Sequence, residues 1–175
     1  MKRVFFGAVF FILIFFITNI SFAQNVFDNK TTASAAANYI PRLKSANCKF
    51  SQIKKIPNVS PIKSSGNFQF IEDKGVIFET TYPVKSITTY TNEQNKKIND
   101  IILSLSKGNY KFLDNNFDIY FIKNQIWTLA LKPKPSNNAS KQLCNIIIKG
   151  NASYIEQITF NTKNGQTDIY FECKK

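Results

Sequence analysis

The chain has 175 residues, with 23 Lys and Arg against 11 Asp and Glu, a formal charge of +12, three Cys and no His. The lack of His removes the commonest general base and metal ligand, and no G-x-S-x-G, P-loop or C-x-x-C spacing occurs. Carboxylates are few and scattered, and three Cys separated by 95 and 28 intervening residues do not make a zinc site. The residues therefore propose no enzyme, no metal and no cofactor.

Lys2 and Arg3 precede an unbroken apolar run of 14 residues, "VFFGAVFFILIFFI". Ser21-Phe22-Ala23 then supplies small residues at the −3 and −1 positions of a cleavage site before Gln24. Residues 1–23 read as a cleaved secretory signal peptide, which leaves 24–175 as one exported domain of 152 residues carrying +10. The alternative is an uncleaved anchor, because Ile20 and Phe22 extend the run. No Cys follows the run, so no lipid-attachment site is present. Such a charge could attract nucleic acid or anionic lipid. However, the lysines are spread singly or in pairs, and Arg42 is the one Arg beyond the signal segment. A solvated Lys-rich surface is expected, with no nucleic-acid partner.

In chain order, Ala33, Ala36, Ala37, Ile40 and Leu43 repeat at i, i+3, i+4 and i+7, predicting a helix over 30–44. "NCKFSQIKKI" (47–56) predicts a strand, and "PNVSPIKSSG" (57–66) an irregular loop. In "GNFQFIEDKGVIFETTYP" (66–83), Phe68 and Phe70 and then Val76, Phe78 and Tyr82 alternate with their neighbours. A polar break at 72–75 divides them, so the stretch reads as a hairpin with one aromatic face. "SITTYT" (86–91) is a further strand and "NEQNKK" (92–97) a polar break. Ile98, Ile101, Ile102 and Leu105 predict a second amphipathic helix stopped by Gly108, and Tyr110, Leu113 and Phe117 a further turn or two. Five strands complete the chain: "DIYFIK", "IWTLALK", "CNIIIKG", "SYIEQITFN" and "QTDIYFECK", the last three spaced as a meander.

The expected fold is therefore mainly β with a few short helices: a single antiparallel sheet of about eight to eleven strands. A sheet of that size curls and acquires an inside. The helices are too few to cover both faces and are expected on the concave one.

The ordered series "CKFSQIKKI", "SSGNFQFIEDKGVIFETTYPVKS", "ILSLSKGNYKFLDNNFDIYF", "IWTLALKPK" and "GNASYIEQITFNTKNGQTDIYF" resembles the LolA family of periplasmic outer-membrane lipoprotein carriers, in its shorter, divergent branch. The resemblance spans essentially all of 24–175. It implies an unclosed β-barrel with a helical lid (LolA/LolB-like), whose apolar interior receives acyl chains of lipoproteins. It also implies a periplasmic location in a Gram-negative cell and a monomer. The implied partners are an acylated lipoprotein or lipid cargo, an inner-membrane ABC release complex and an outer-membrane acceptor. Where better-studied members have Arg-Pro, this chain reads "EDKG" (72–75), and Phe78 stands where they usually have Trp.

On that reading the apolar phase of the strands lines the cavity: Phe50, Phe68, Phe70, Val76, Phe78, Trp127, Leu129 and Leu131, with Ile146, Ile148, Ile158 and Phe160 as further candidates. Helix 30–44 and segment 98–117 would form the lid. The alternative is a periplasmic domain that senses a lipid or a lipoprotein without transporting it.

Three cysteines in an oxidising compartment leave one unpaired. Cys48, Cys144 and Cys173 each share the phase of apolar neighbours, so all three are expected on the apolar side. Cys48 and Cys144 begin their strands and Cys173 ends the last. In an antiparallel pair a strand start meets a strand end. Cys144 and Cys173 lie on the outer strands of one meander, at opposite ends. A Cys48–Cys173 disulfide follows if the first and last strands are neighbours, with Cys144 a buried thiol. A different strand order would bring Cys144 into the link.

Overall fold

The computed structural model describes residues 25–41, 45–72, 75–89 and 93–173, with the side chains of 93–98 excepted. The segment 1–23 expected to be a signal peptide, Leu43 and the side chain of Ile98 lie outside the described residues.

Ten strands form one sheet: β1 (Lys30–Thr31), β2 (Ser45–Lys55), β3 (Ile62–Ile71), β4 (Gly75–Tyr82), β5 (Ser86–Thr89), β6 (Phe117–Ile122), β7 (Trp127–Pro133), β8 (Leu143–Gly150), β9 (Ile155–Thr162) and β10 (Gly165–Cys173). Their order is β1-β6-β7-β8-β9-β10-β2-β3-β4-β5, every described pairing is antiparallel, and the sheet does not close. The central pairings are long and the two edge strands are very short, which limits the unpaired backbone open to other chains. Three helices, α1 (Ala33–Ala37), α2 (Glu93–Lys107) and α3 (Tyr110–Asn116), lie between strands in sequence.

The first helix is shorter than its periodicity predicts. Lys30 and Thr31 pair with Tyr120 and Ile119 of β6 instead. Thr32 then caps α1 by accepting a hydrogen bond from the Ala35 N–H. Pro41 disfavours a helical Ile40, so the helix ends after one turn and a half. Ala33, Ala36 and Ile40 are nevertheless buried together. In α2 the correction runs the other way, because the helix begins at Glu93, inside the expected polar break. Gly108 follows it with φ of 70°, a conformation that favours glycine. Asn109 then caps α3 by accepting from the Phe112 N–H.

β3 begins at Ile62, within the segment expected to be loop, and pairs with β2 from Lys54 onward. Three irregularities reset side-chain phase, one of them between Lys149 and Gly150, where Glu156 is the extra residue of β9 and Ile155 is buried as well as Ile158. Between Ser65 and Gly66 the β3–β4 register shifts, pairing Ser65 with Tyr82 but Gly66 with Thr80. Thr81 is the extra residue, and Tyr82 leaves the apolar face for solvent. Between Leu143 and Asn145 the β8–β9 register shifts likewise, so Leu143 turns inward and Cys144 is exposed. The expectation of a buried Cys144 thiol is thereby corrected: strict alternation from Ile146 does not extend across a bulge.

The helix-covered face of the sheet and the apolar sides of the helices form one cluster. Ala33, Ala36, Ile101, Ile102, Leu105 and Leu113 from the helices pack with the inward residues of β2–β4 and β6–β10. A single apolar core thus sits between the sheet and three short helices.

Candidate functional site

The site is the covered apolar face. On β2, β3 and β4 it carries Phe50, Phe68, Phe70, Val76 and Phe78, and on β7 Trp127, Leu129 and Leu131. β8 and β9 add Ile146, Ile148 and Ile158. All eleven are buried. Phe160 is half-buried and packs at the cluster's margin. The cavity candidates picked from the alternation therefore share one face of one sheet.

Their packing is aromatic where β2, β3, β4 and β10 adjoin. The Phe50 ring meets Phe78 edge-on at 5.1 Å, Phe68 lies 5.0 Å from Phe78, and Phe171 lies 4.7 Å from Phe68. Phe171 and its strand-mate Ile169 were not among the candidates, although their i, i+2 spacing carries the same signal. Phe117 and Ile119 on β6 share this face as well, since Phe117 begins a strand rather than continuing the helical spacing of Tyr110 and Leu113.

The helices meet this face through apolar side chains and polar ties at particular points, the end of α3 being bonded to Lys134 and Asn137. Asn99 of α2 is buried, and its side-chain oxygen accepts from the Val76 N–H of β4 at 3.1 Å. Asp114 of α3 accepts from the Ala33 N–H at 2.9 Å, joining α3 to the start of α1. Just beyond α1, Tyr39 stacks on Phe121 of β6, with the Lys123 ammonium 4.2 Å from its ring centre. The expected lid segments therefore lie on the candidate face, α1 being reduced to five residues.

A cavity of about 20 Å³ lies among Cys48, Phe68, Ile102, Ile158 and Phe171. That is room for a single water at most, and its walls are apolar. An acyl chain fits on this face only where helix side chains leave it.

Among the described residues no charged side chain is buried on this face. Among the described residues the buried charged side chain is Asp168, which points to the opposite face of β10. Its carboxylate accepts from Thr159 Oγ1 at 2.9 Å, from Gln166 Nε2 at 2.7 Å and from Lys55 Nζ at 3.0 Å. Burial pushes its pKa up, but the hydrogen bonds from Gln166, Lys55 and Thr159 together outweigh this and hold it below the usual carboxylate range. Lys55 is raised correspondingly by its hydrogen bond to Asp168. At the β1 edge the Lys30–Asp118 pair, 2.9 Å apart, lowers the Asp118 carboxyl in the same way.

Cys48 on β2 and Cys173 on β10 form a disulfide at the end of the sheet beside the small cavity. Trp127 donates from its ring N–H to the Asn151 carbonyl at 2.8 Å, which fixes the indole against the β8–β9 turn. Among the described residues no helix is long and apolar enough to cross a membrane. Neither a protein-family model nor a curated protein matches this chain.

Proposed function

We propose that this protein is a periplasmic carrier that binds acyl chains of lipoproteins, or of a related lipid, and moves them towards the outer membrane. The observation that carries the reading is the composition of the covered face. One uncharged, aromatic-rich sheet face runs from β4 to β7 through the sheet centre, and what covers it is three short helices rather than a second sheet. Short amphipathic helices gain little stability on their own and depend on the face they cover. Moving an acyl chain of ~16 carbons out of water is worth roughly 0.8 kcal/mol per CH₂, on the order of 12 kcal/mol in all. That is comparable with what holds α1 and α2, apolar contacts and a few hydrogen bonds, whereas α3 is tied more firmly through Lys134 and Asn137. In the empty protein the helices keep an otherwise aggregating surface from water.

The test is organic extraction and mass spectrometry of protein isolated from its native periplasm. A bound acylated lipoprotein is the expected result. Protein free of lipid but tied to a stable partner would instead assign a sensing role.

A further inference from the structure

A second surface lies at the end of the sheet away from the disulfide. The register places three hairpin turns there: β2–β3, since Lys54 pairs with Ile62; β4–β5, since Ser65 pairs with Tyr82; and β9–β10, since Gln166 pairs with Lys55. The six strands concerned are contiguous in the sheet, so the turns line one rim. Residues 53–66, 80–89 and 162–167 hold Lys54, Lys55, Lys63, Lys85 and Lys163 and no Asp or Glu. Two carboxylates border them: Asp168 is 2 % exposed and already bonded to Lys55, and Glu79, exposed and opposite Ile87, accepts from Asn67 Nδ2 at 3.0 Å.

The same turns project apolar side chains into solvent. Val59 is 52 % exposed, Ile62 48 %, Tyr82 60 % and Val84 72 %. Ile87 on the adjoining edge strand is 70 % exposed. Of the eight large apolar side chains exposed among the described residues, these five sit at one end. Singly exposed apolar residues are ordinary; five grouped at one end of the sheet among five lysines, with Glu79 the one exposed acid beside them, are not. Lys54, Lys63, Lys85 and Lys163 are also exposed.

We infer that this rim is a docking surface for an anionic lipid bilayer. Valine and isoleucine tips insert at the headgroup boundary, Tyr82 sits at the interface with its hydroxyl in water, and the lysines neutralise lipid phosphate. A protein partner of ordinary surface would require acids to match these lysines, whereas a bilayer of anionic headgroups matches them wherever the rim lands. The inference does not depend on what the apolar interior carries. The two surfaces are at different places: α2 is tied to Val76, at the far end of β4 from Tyr82. A docked molecule therefore keeps its α2 end away from the bilayer.

The experiment is co-sedimentation of the chain, as isolated from its own cells, with vesicles of phosphatidylcholine alone or with 30 % (about one lipid in three) phosphatidylglycerol. Binding to the anionic vesicles is expected, falling steeply with added salt. Each lysine near such a surface contributes about fivefold, so K63E/K85E should weaken partitioning by at least about 25-fold. V84D/I87D should weaken it at least as much. All four positions are exposed, so thermal melts should match the parent. Equal partitioning to both vesicle types, or variants that bind like the parent, would overturn the inference. So would a parent that ignores vesicles but forms a dimer that V84D/I87D dissociates, which would assign the rim to a second copy of the chain.

Discussion

Cys48 and Cys173 stand directly opposite each other on β2 and β10, with Cα atoms 4.1 Å apart and their sulfurs bonded across 125 residues of sequence. The link fastens the first long strand to the last at the centre of the sheet order. Closing a loop of that length stabilises the fold by about 4 to 5 kcal/mol in the unstrained limit. C48S/C173S should lose stability of that order in urea unfolding, matched by the parent under reductant. Cys144 is exposed, so one thiol per unreduced native chain should react with a maleimide, and peptide mapping should place the label on it.

Phe78 lies between Phe50 and Phe68 at the aromatic part of the covered face. Phe78→Glu puts an unpaired carboxylate there, which is costly in an apolar site. It should abolish copurification of acylated cargo, while Phe78→Leu, which stays apolar, should retain it. A folded Phe78→Glu protein that copurifies with lipoprotein as the parent does would sink the carrier reading.

The Asn99–Val76 hydrogen bond is a buried tie between α2 and the sheet. Asn99→Ala leaves the Val76 N–H unpaired, at about 1 to 3 kcal/mol. It should accelerate amide exchange in α2 more than in β7 or β8. If the helices are displaced by cargo, bound lipid should also raise exchange in α1, α2 and α3. Equal protection with and without lipid would identify them as fixed core helices.

Asp168 gives a pH dependence of definite sign. Its folded pKa lies below the ordinary carboxylate value, near 3.9. The stabilisation it supplies is therefore fully present above that ordinary value and is lost as pH falls through the folded one. Asp168→Asn sets an amide N–H₂ against the Gln166 and Lys55 donors, and should cost about 2 kcal/mol at pH 7. Lys55 is half exposed, so most of this effect comes from the Thr159 and Gln166 bonds. The variant should show a flatter decline in stability below about pH 4 than the parent, measured by chemical denaturation across the acid range.

Gly66 sits where β3 shifts register against β4. A Cβ there would lie 1.9 Å from the Glu79 carbonyl oxygen, a backbone atom that cannot rotate away. Gly66→Ala should destabilise by about 1 to 3 kcal/mol through displacement of β4, read as a lowered denaturation midpoint.

Much of the architecture is written in local pattern. Period-two alternation in "FQFIEDKGVIFE", "WTLAL" and "TDIYFE" is enough to place Phe68, Phe70, Val76, Phe78, Trp127, Leu129 and Phe171 on one face, because a strand's geometry sends alternate side chains the same way. What alternation does not contain is the bulge. An extra residue at Thr81 or Cys144 reverses the phase beyond it, and its position follows from how neighbouring strands twist and pair rather than from the residues themselves. The same holds for 30–44, where the helical spacing of the alanines is real but pairing with β6 takes Lys30 and Thr31 first. Adjacency is likewise decided by the fold. Cys48 and Cys173 meet because an open sheet brings β10 beside β2, a long-range pairing. The rim of lysines and exposed apolar side chains has the same origin. Its three turns are far apart along the chain, and antiparallel pairing of six strands gathers them at one end.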